Sequence, residues 1–280
     1  MLEGPITEGN LQDIRQLANQ TVAETRSDDS TRRITGVHVA RALELRGNFL
    51  RDIGDQDGAK KDLFEALGLL ISAPSCEEEV GRVSSSLAVI YDYGGDPAQA
   101  KAHYERAIES FERTRPPLVL DIADLSNNLA FIYEMEGDFS KAEDLLLSAL
   151  KICVDTIGVN QEATAAVYNN IGTLYFKAGF DERAREMHME ALEARRAVFG
   201  EDHYETAQSH ANLALVFVKS GEINAARRHF TEALDIYEDH LDVARYSYDT
   251  VAANFRDVLE SLDDKRAIFA LDARVAAHAE

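Results

Sequence analysis

Basic residues are scarce in this chain of 280 residues: 29 Lys and Arg stand against 50 Asp and Glu, a formal net charge of −21. Phosphate contact needs clustered Lys and Arg, so a general nucleic-acid binder is excluded and wholesale adsorption to anionic lipid is disfavoured. Cysteine is scarcer still. Cys76 and Cys153 are the two present and form no C-x-x-C pair, which argues against a disulfide scaffold or a thiol-rich zinc site and fits a reducing cytoplasm. No apolar run approaches the ~20 residues that span a bilayer. Met1 to Glu8 shows neither a basic stretch nor an apolar one, so no signal peptide is expected. Prolines number five and aromatics make up 8%, yet 45% of the chain is hydrophobic, enough to build a packed core. The expectation is a soluble, acidic, cytoplasmic protein.

Catalytic motifs are missing too. The sequence holds no Walker loop, no G-x-G-x-x-G, no G-x-S-x-G and no H-E-x-x-H, so neither an enzyme nor a bound cofactor is expected. His203 and His210 are two helical turns apart but have no third ligand at helical spacing, so no metal site is expected. His103, His188 and His229 read as histidines at the edge of the core, and Cys153 as core.

What is present is repetition. Five glycines are each followed five residues later by Ala and seven after that by another: Gly54, Ala59, Ala66; Gly95, Ala100, Ala107; Gly137, Ala142, Ala149; Gly179, Ala184, Ala191; Gly221, Ala226, Ala233. The glycines are 41, 42, 42 and 42 residues apart. Nine residues before each of the last four stands Ser86, Asn128, Asn170 or Asn212, and four before it Tyr91, Tyr133, Tyr175 or Phe217. A further step reaches Asn254-Phe255 and Leu259, and a backward step of 42 places Leu45 and Phe49 in the first repeat. Leu129 and Tyr133, four apart, share a helical face. Gly137 ends that helix, because only glycine enters the left-handed region freely. Asp138 or Ser140 then caps a second helix, as Asp96-Pro97 does one repeat earlier. The paired alanines let the two helices approach closely, and a bulky substitute there costs about 1–3 kcal/mol.

This pattern is the tetratricopeptide signature: a helical hairpin whose apolar faces are buried only by its neighbours. The usual unit is ~34 residues; the longer one here, with Asn127-Asn128-Leu129-Ala130 and Asn169-Asn170-Ile171-Gly172, resembles kinesin light chain. Phe199-Gly200-Glu201-Asp202-His203-Tyr204 is similar to that family's connector, with Tyr204 in place of a proline. No heptad repeat precedes the hairpins, so the part that would bind a motor heavy chain is not expected. The resemblance is closer to the bacterial kinesin-light-chain-like proteins that occur alongside bacterial tubulins, which makes a tubulin-type filament a candidate partner.

The implied fold is all-α, a right-handed superhelical solenoid of about five 42-residue hairpins with helical caps. A capping helix is expected within 1–34 (a helix over 10–26, a polar loop over 28–31), the repeat array over 35–245, and a degenerate repeat over 246–280 with helices at 247–260 and 264–279. Asp263 there replaces the glycine.

In this fold first helices line a groove, and the Asn position faces it. Asn127, Asn128, Asn169, Asn170, Asn212 and Asn254 would form a ladder able to clamp an extended peptide, since asparagine carries both donor and acceptor. The same ladder could instead fix hairpin stacking. Lys177, Lys219 and Arg82 would draw an acidic peptide to the groove, or be ordinary surface charges. The carboxylate-clamp version of the family is not intact, because its positions include Asp124, Ala166 and Gln208. Arg32, Arg33 and Arg41 lie in a locally basic N-terminal stretch, whereas residues 232–264 carry ten acids against Arg245 and Arg256. That asymmetry opens two further options: docking of the basic end on a filament or, peripherally, on an anionic membrane, and head-to-tail self-association. The functional expectation is a non-catalytic adaptor for an extended peptide or a filament. The alternative is a regulatory sensor that binds a signalling peptide and controls an enzyme or transcription factor.

Overall fold

A computed structural model of the chain describes residues 32–278, with side chains from residue 36, and Gln16, Asn19, Gln20, Val22 and Ala23 of the segment before them. The described residues form helices α1 (Arg32–Asp52), α2 (Gln56–Ile71), α3 (Glu77–Tyr93), α4 (Pro97–Arg113), α5 (Val119–Met135), α6 (Phe139–Thr156), α7 (Glu162–Ala178), α8 (Asp181–Phe199), α9 (Tyr204–Lys219), α10 (Ile223–Glu238), α11 (Leu241–Ser261) and α12 (Lys265–Ala277). No strand occurs among them, and none of these helices is long and apolar enough to cross a membrane. The chain divides into two compact units, Met1–Ile132 and Tyr133–Glu280, with the division inside α5.

The hairpin stop is the same chemistry six times over. Gly54, Gly95, Gly137, Gly179 and Gly221 all have φ between 73° and 85°. The amide that follows each glycine closes back on a carbonyl five residues earlier: Asp55 to Leu50 2.8 Å, Asp96 to Tyr91 2.9 Å, Asp138 to Tyr133 2.9 Å, Phe180 to Tyr175 2.9 Å and Glu222 to Phe217 2.8 Å. This bond satisfies a carbonyl that the helix end would otherwise strand. At the sixth stop Asp263 takes the glycine's place at φ 50°, and Asp264 donates to Leu259 at 3.0 Å. Asp55, Asp96, Asp138 and Asp264 then cap the following helices, accepting from the amides of Gly58, Gln99, Lys141 and Ala267.

Ten alanines, the pair from each of the five glycine-led repeats, are 0% exposed. In the first unit one core runs from Val22 and Val39 through Leu63 and Leu67 to Leu87 and Ile90. In the second, another runs from Leu192 and Ala207 through Phe230 and Tyr237 to Leu259 and Leu271. Second helices α2, α6, α8 and α10 pack against the first helix of the next hairpin, as α10 does on α11, where Phe230 stacks on Phe255 at 4.9 Å.

Two sequence expectations shift. Leu45 does not carry the first repeat's core: it is 70% exposed, while Leu43 and Leu50 are buried. The first glycine spacing is 41 residues, so the backward step from Leu87 lands on Arg46 and that from Tyr91 on Leu50. Arg46 reaches Asp62 through two bonds of 2.5 and 2.7 Å. Gly47 falls where later repeats have small residues, and a Cβ there would lie 2.8 Å from Leu63 Cγ. The last hairpin's first helix also begins earlier than expected, at Leu241, and bends at Ala244, whose φ of −120° and ψ of 16° are not helical. Of the expected capping helix, the described residues Gln16, Asn19, Gln20, Val22 and Ala23 are helical and Val22 is buried; the remainder, the loop over 28–31 and the side chains of Arg32 and Arg33 lie outside the described residues.

Candidate interaction groove

In the first unit, the first helices of three consecutive hairpins wall a cavity of about 420 Å³. Helix α1 supplies Glu44 and Asn48, α3 supplies Arg82, Ser85 and Ser86, and α5 supplies Leu120, Asp121, Asp124 and Leu125, with Phe111 of α4 behind them. Phe111 reaches this wall because α3 carries Gly81, where a Cβ would lie 2.4 Å from the ring.

Arg82 is already engaged. Its guanidinium donates to Glu44 at 3.0 and 3.4 Å and to Glu78 at 2.6 Å. The hydrogen bond to Glu44 keeps it firmly protonated, raising its pKa above the ordinary arginine value. Asp121 and Asp124 have no ion pair or hydrogen bond among the described residues. Asp124 stands exposed at the edge of the wall, and partial desolvation, with the Asp121 charge second, pushes its carboxyl above the usual range. Ser86, at the repeat position held by asparagine in later hairpins, is 9% exposed, and its hydroxyl makes no hydrogen bond.

The second unit treats the same positions differently. Asn212 of α9 donates to Asn169 of α7 at 2.6 Å, and Asn169 donates to Asn170 at 3.4 Å. Lys177 is paired with Glu134 at 2.5 Å. Lys219, 42 residues on, pairs with Asp181 at 2.7 Å and donates to the Phe176 carbonyl at 3.0 Å. Both lysines therefore tie one hairpin to the one before it, and a cation at a helix C-terminus is favourable. Asn127, Asn128 and Asn254 are half-buried on α5 and α11. Arg41 of the expected basic patch is paired with Glu79 at 2.5 Å.

The histidines are packed rather than poised. His188 is 2% exposed, fills the position that Tyr104, Leu146 and Phe230 fill in other hairpins, and leaves Nδ1 without a partner. Burial, then the Arg195 charge, lowers its pKa to about 4. His210 faces His229, Nδ1 to Nδ1 2.9 Å, and not His203. Burial lowers His210 to about 4, with His229 and Arg196 adding to the effect. His203 instead accepts from the Glu205 amide at 3.2 Å and so starts α9. No group of three or more metal-ligating residues occurs among the described residues.

One buried cation escaped the sequence reading. Arg195 is 5% exposed and holds the Glu205 carbonyl at 3.0 Å, Ser209 at 3.0 Å, Gln208 at 2.9 Å and the Glu205 carboxylate at 2.8 Å. The period gave a signal for it: Phe111, Cys153 and Tyr237 occupy the equivalent positions and are buried. The sequence reading named Ser86 only as a ladder position without asparagine and Asp124 only as a clamp position without its cation, and it gave no signal for Asp121.

The tetratricopeptide repeat family model matches residues 121–196 and 164–239, and a second tetratricopeptide repeat model matches residues 86–113; together they span just over half of the chain. No curated protein matches by sequence. Among solved structures, BtubC (BKLC) from P. vanneervenii is similar, with a TM-score of 0.71 and 24% identity over 84% of this chain and 93% of that one. The apo form of RapI has a TM-score of 0.69 and 18% identity over 85% of this chain and 84% of that one. YrrB, described as a TPR protein with an unusual peptide-binding site, has a TM-score of 0.53 and 15% identity, over 81% of this chain and 95% of that one. At these identities the likeness is one of fold.

Proposed function

Because the chain belongs to the tetratricopeptide repeat family, we propose that it is a non-catalytic protein-binding scaffold and that the first unit's cavity receives an extended segment of its partner. The observation that carries this reading is the cavity itself: about 420 Å³ between three successive first helices, lined by polar groups that include Asp121 and Asp124. The peptide-binding site named for YrrB supports the same reading. In the second unit the asparagines and lysines bond to one another and to neighbouring hairpins, which favours a stacking role there and concentrates binding in the first unit.

Replacing Ser85, a half-exposed wall residue, by Trp fills the cavity. Capture from a lysate of cells that make the protein is expected to yield a protein held by wild type and by a Ser148→Trp control on the exposed face of α6, but lost by Ser85→Trp. Retention of every captured protein by Ser85→Trp overturns the assignment to this cavity. The kinesin-light-chain resemblance of Asn127–Ala130, Asn169–Gly172 and Phe199–Tyr204 favours a tubulin-type filament as that protein. Co-sedimentation with polymerised bacterial tubulin tests this: a chain left in the supernatant removes the filament partner and leaves the cavity reading in place.

A further inference from the structure

We propose that the first unit's cavity is a guanidinium site: the partner segment presents an arginine to Asp121 and Asp124, with Ser86 as a further acceptor. This rests on the reading of the cavity as a binding groove and adds the chemistry of its ligand.

Three independent observations point the same way. The first is the charge left over. Of the ionic groups in the wall, Arg82 and Glu44 satisfy each other, and Arg82 has Glu78 as well. That leaves Asp121 and Asp124, three residues apart on α5 and therefore on one face of it. The second is the orphaned hydroxyl. Ser86 is nine-tenths buried, lines the cavity and has no hydrogen-bond partner. The hydroxyl opens on the cavity with its lone pairs unused, so it can accept from a donor placed there. The third is room. At the ladder position Ser86 is shorter than the asparagines of later repeats, and the space it gives up belongs to the cavity.

The groups on offer are acceptors: two carboxylates and a hydroxyl oxygen. Arginine carries five donors in a rigid fork that matches such an arrangement, whereas lysine is a compact, strongly hydrated point charge. An anionic ligand would face both free carboxylates, since the only guanidinium in the wall is committed. A metal ion would lack a third ligand, as no group of three occurs among the described residues. The raised Asp124 carboxyl agrees: desolvation first and the Asp121 charge second disfavour its ionised form, and a bound cation offsets both.

The test is an amide NMR titration of the full chain with three probes: acetyl-Gly-Arg-Gly-amide, its lysine counterpart, and its citrulline counterpart, which keeps the shape and loses the charge. The arginine probe is expected to shift amides within 82–86 and 120–125 and to bind at least about tenfold tighter than the citrulline probe, as expected for charge-assisted bonds. Asp121→Asn with Asp124→Asn is expected to abolish the difference. Asp242→Asn with Asp249→Asn, which removes equal charge from α11, is expected to keep it, both double variants retaining the wild-type circular dichroism. Equal binding of citrulline, equal binding of lysine, or equal loss in the α11 variant overturns the proposal, the last by showing that the −21 net charge alone attracts the probe. The two readings separate cleanly. If the arginine probe fails while Ser85→Trp still loses the captured protein, the groove stands and the guanidinium does not. If the probe binds while Ser85→Trp keeps every captured protein, the guanidinium site stands and the groove reading falls.

Discussion

Acidification should weaken the second unit through His188 well before the carboxylates titrate. The imidazole sits on α8 against Gly172 of α7, so closely that a Cβ on the glycine would lie 2.7 Å from its Nδ1. It has no charged partner to welcome a proton, and Arg195 repels one. Its folded pKa of about 4 lies below the ordinary histidine value of 6.5. A folded value below the unfolded one means that the unfolded chain takes up the proton first. The stability contributed by neutral His188 is therefore complete above about pH 6.5 and drains away as pH falls through that value towards 4. Between about pH 7 and about pH 5 the loss is about 2 kcal/mol from this residue alone. The perturbation that isolates it is His188→Leu, which places at this position the residue that Leu146 already is one repeat earlier. At pH 7 the variant should be at least as stable as wild type, since it deletes a buried nitrogen that has no partner, a group whose burial costs roughly 1–3 kcal/mol. On acidification wild type should fall away from the variant by about 2 kcal/mol. His103, His210, His229 and every carboxylate are common to both chains and cancel in the comparison. Since the chain has no tryptophan, urea unfolding is followed by far-ultraviolet circular dichroism across that pH range. Parallel stability curves for the two proteins would refute the reasoning, because the imidazole would then have found a proton partner in the fold.

Asp263 sits at φ 50° where five other hairpins use glycine; Asp263→Gly should stabilise the last hairpin by about 0.5–1 kcal/mol in thermal unfolding, and a lower melting temperature would show that the exposed ion pair of Asp263 with Lys265, 3.5 Å apart, outweighs the backbone. Removing Arg195 leaves buried Ser209 without its donor, while the partly exposed Glu205 carboxylate and the exposed Gln208 can turn to water, so Arg195→Met should cost about 1–3 kcal/mol by urea unfolding, with part recovered when Glu205→Gln is added; no recovery would mean that packing, and not the lost charge pairing, sets the cost. Asn169→Ala breaks the bond to Asn212 and should lower stability by about 1 kcal/mol while leaving the arginine-probe titration unchanged. Loss of probe binding in that variant would instead make the ladder part of the site.

Period made the architecture legible. Six hairpin stops, ten buried alanines and the aspartate caps all follow from one spacing, because each residue answers a local demand of backbone or packing that recurs every repeat. The first repeat was misread where the spacing changed by one residue, turning Leu45 from a core position into an exposed one. The site was less legible, for the opposite reason. Lys177 and Lys219 are periodic and so looked like a surface device, yet periodicity at 42 residues also brings each one to the preceding hairpin, where Glu134 and Asp181 await. Which cations remain free is decided by pairs far apart in sequence, such as Arg82 with Glu44, and no spacing rule announces those. Asp121 and Asp124 became visible only once their lack of partners could be seen.

The position shared by Phe111, Cys153, Arg195 and Tyr237 has one further consequence. Four hairpins that look interchangeable in outline each hold a different chemical key at the same interior place: an aromatic ring, a thiol, a guanidinium and a phenol. The α8 key takes a carboxylate and a hydroxyl, Glu205 and Ser209, from the helix after it, whereas the α10 key meets the Ser247 hydroxyl. Hairpins cut out and rejoined in another order would keep their spacing and lose this match, so the order of the repeats is written into the protein's interior. Duplicating or deleting one 42-residue unit next to Arg195 should produce a chain that aligns perfectly and folds poorly.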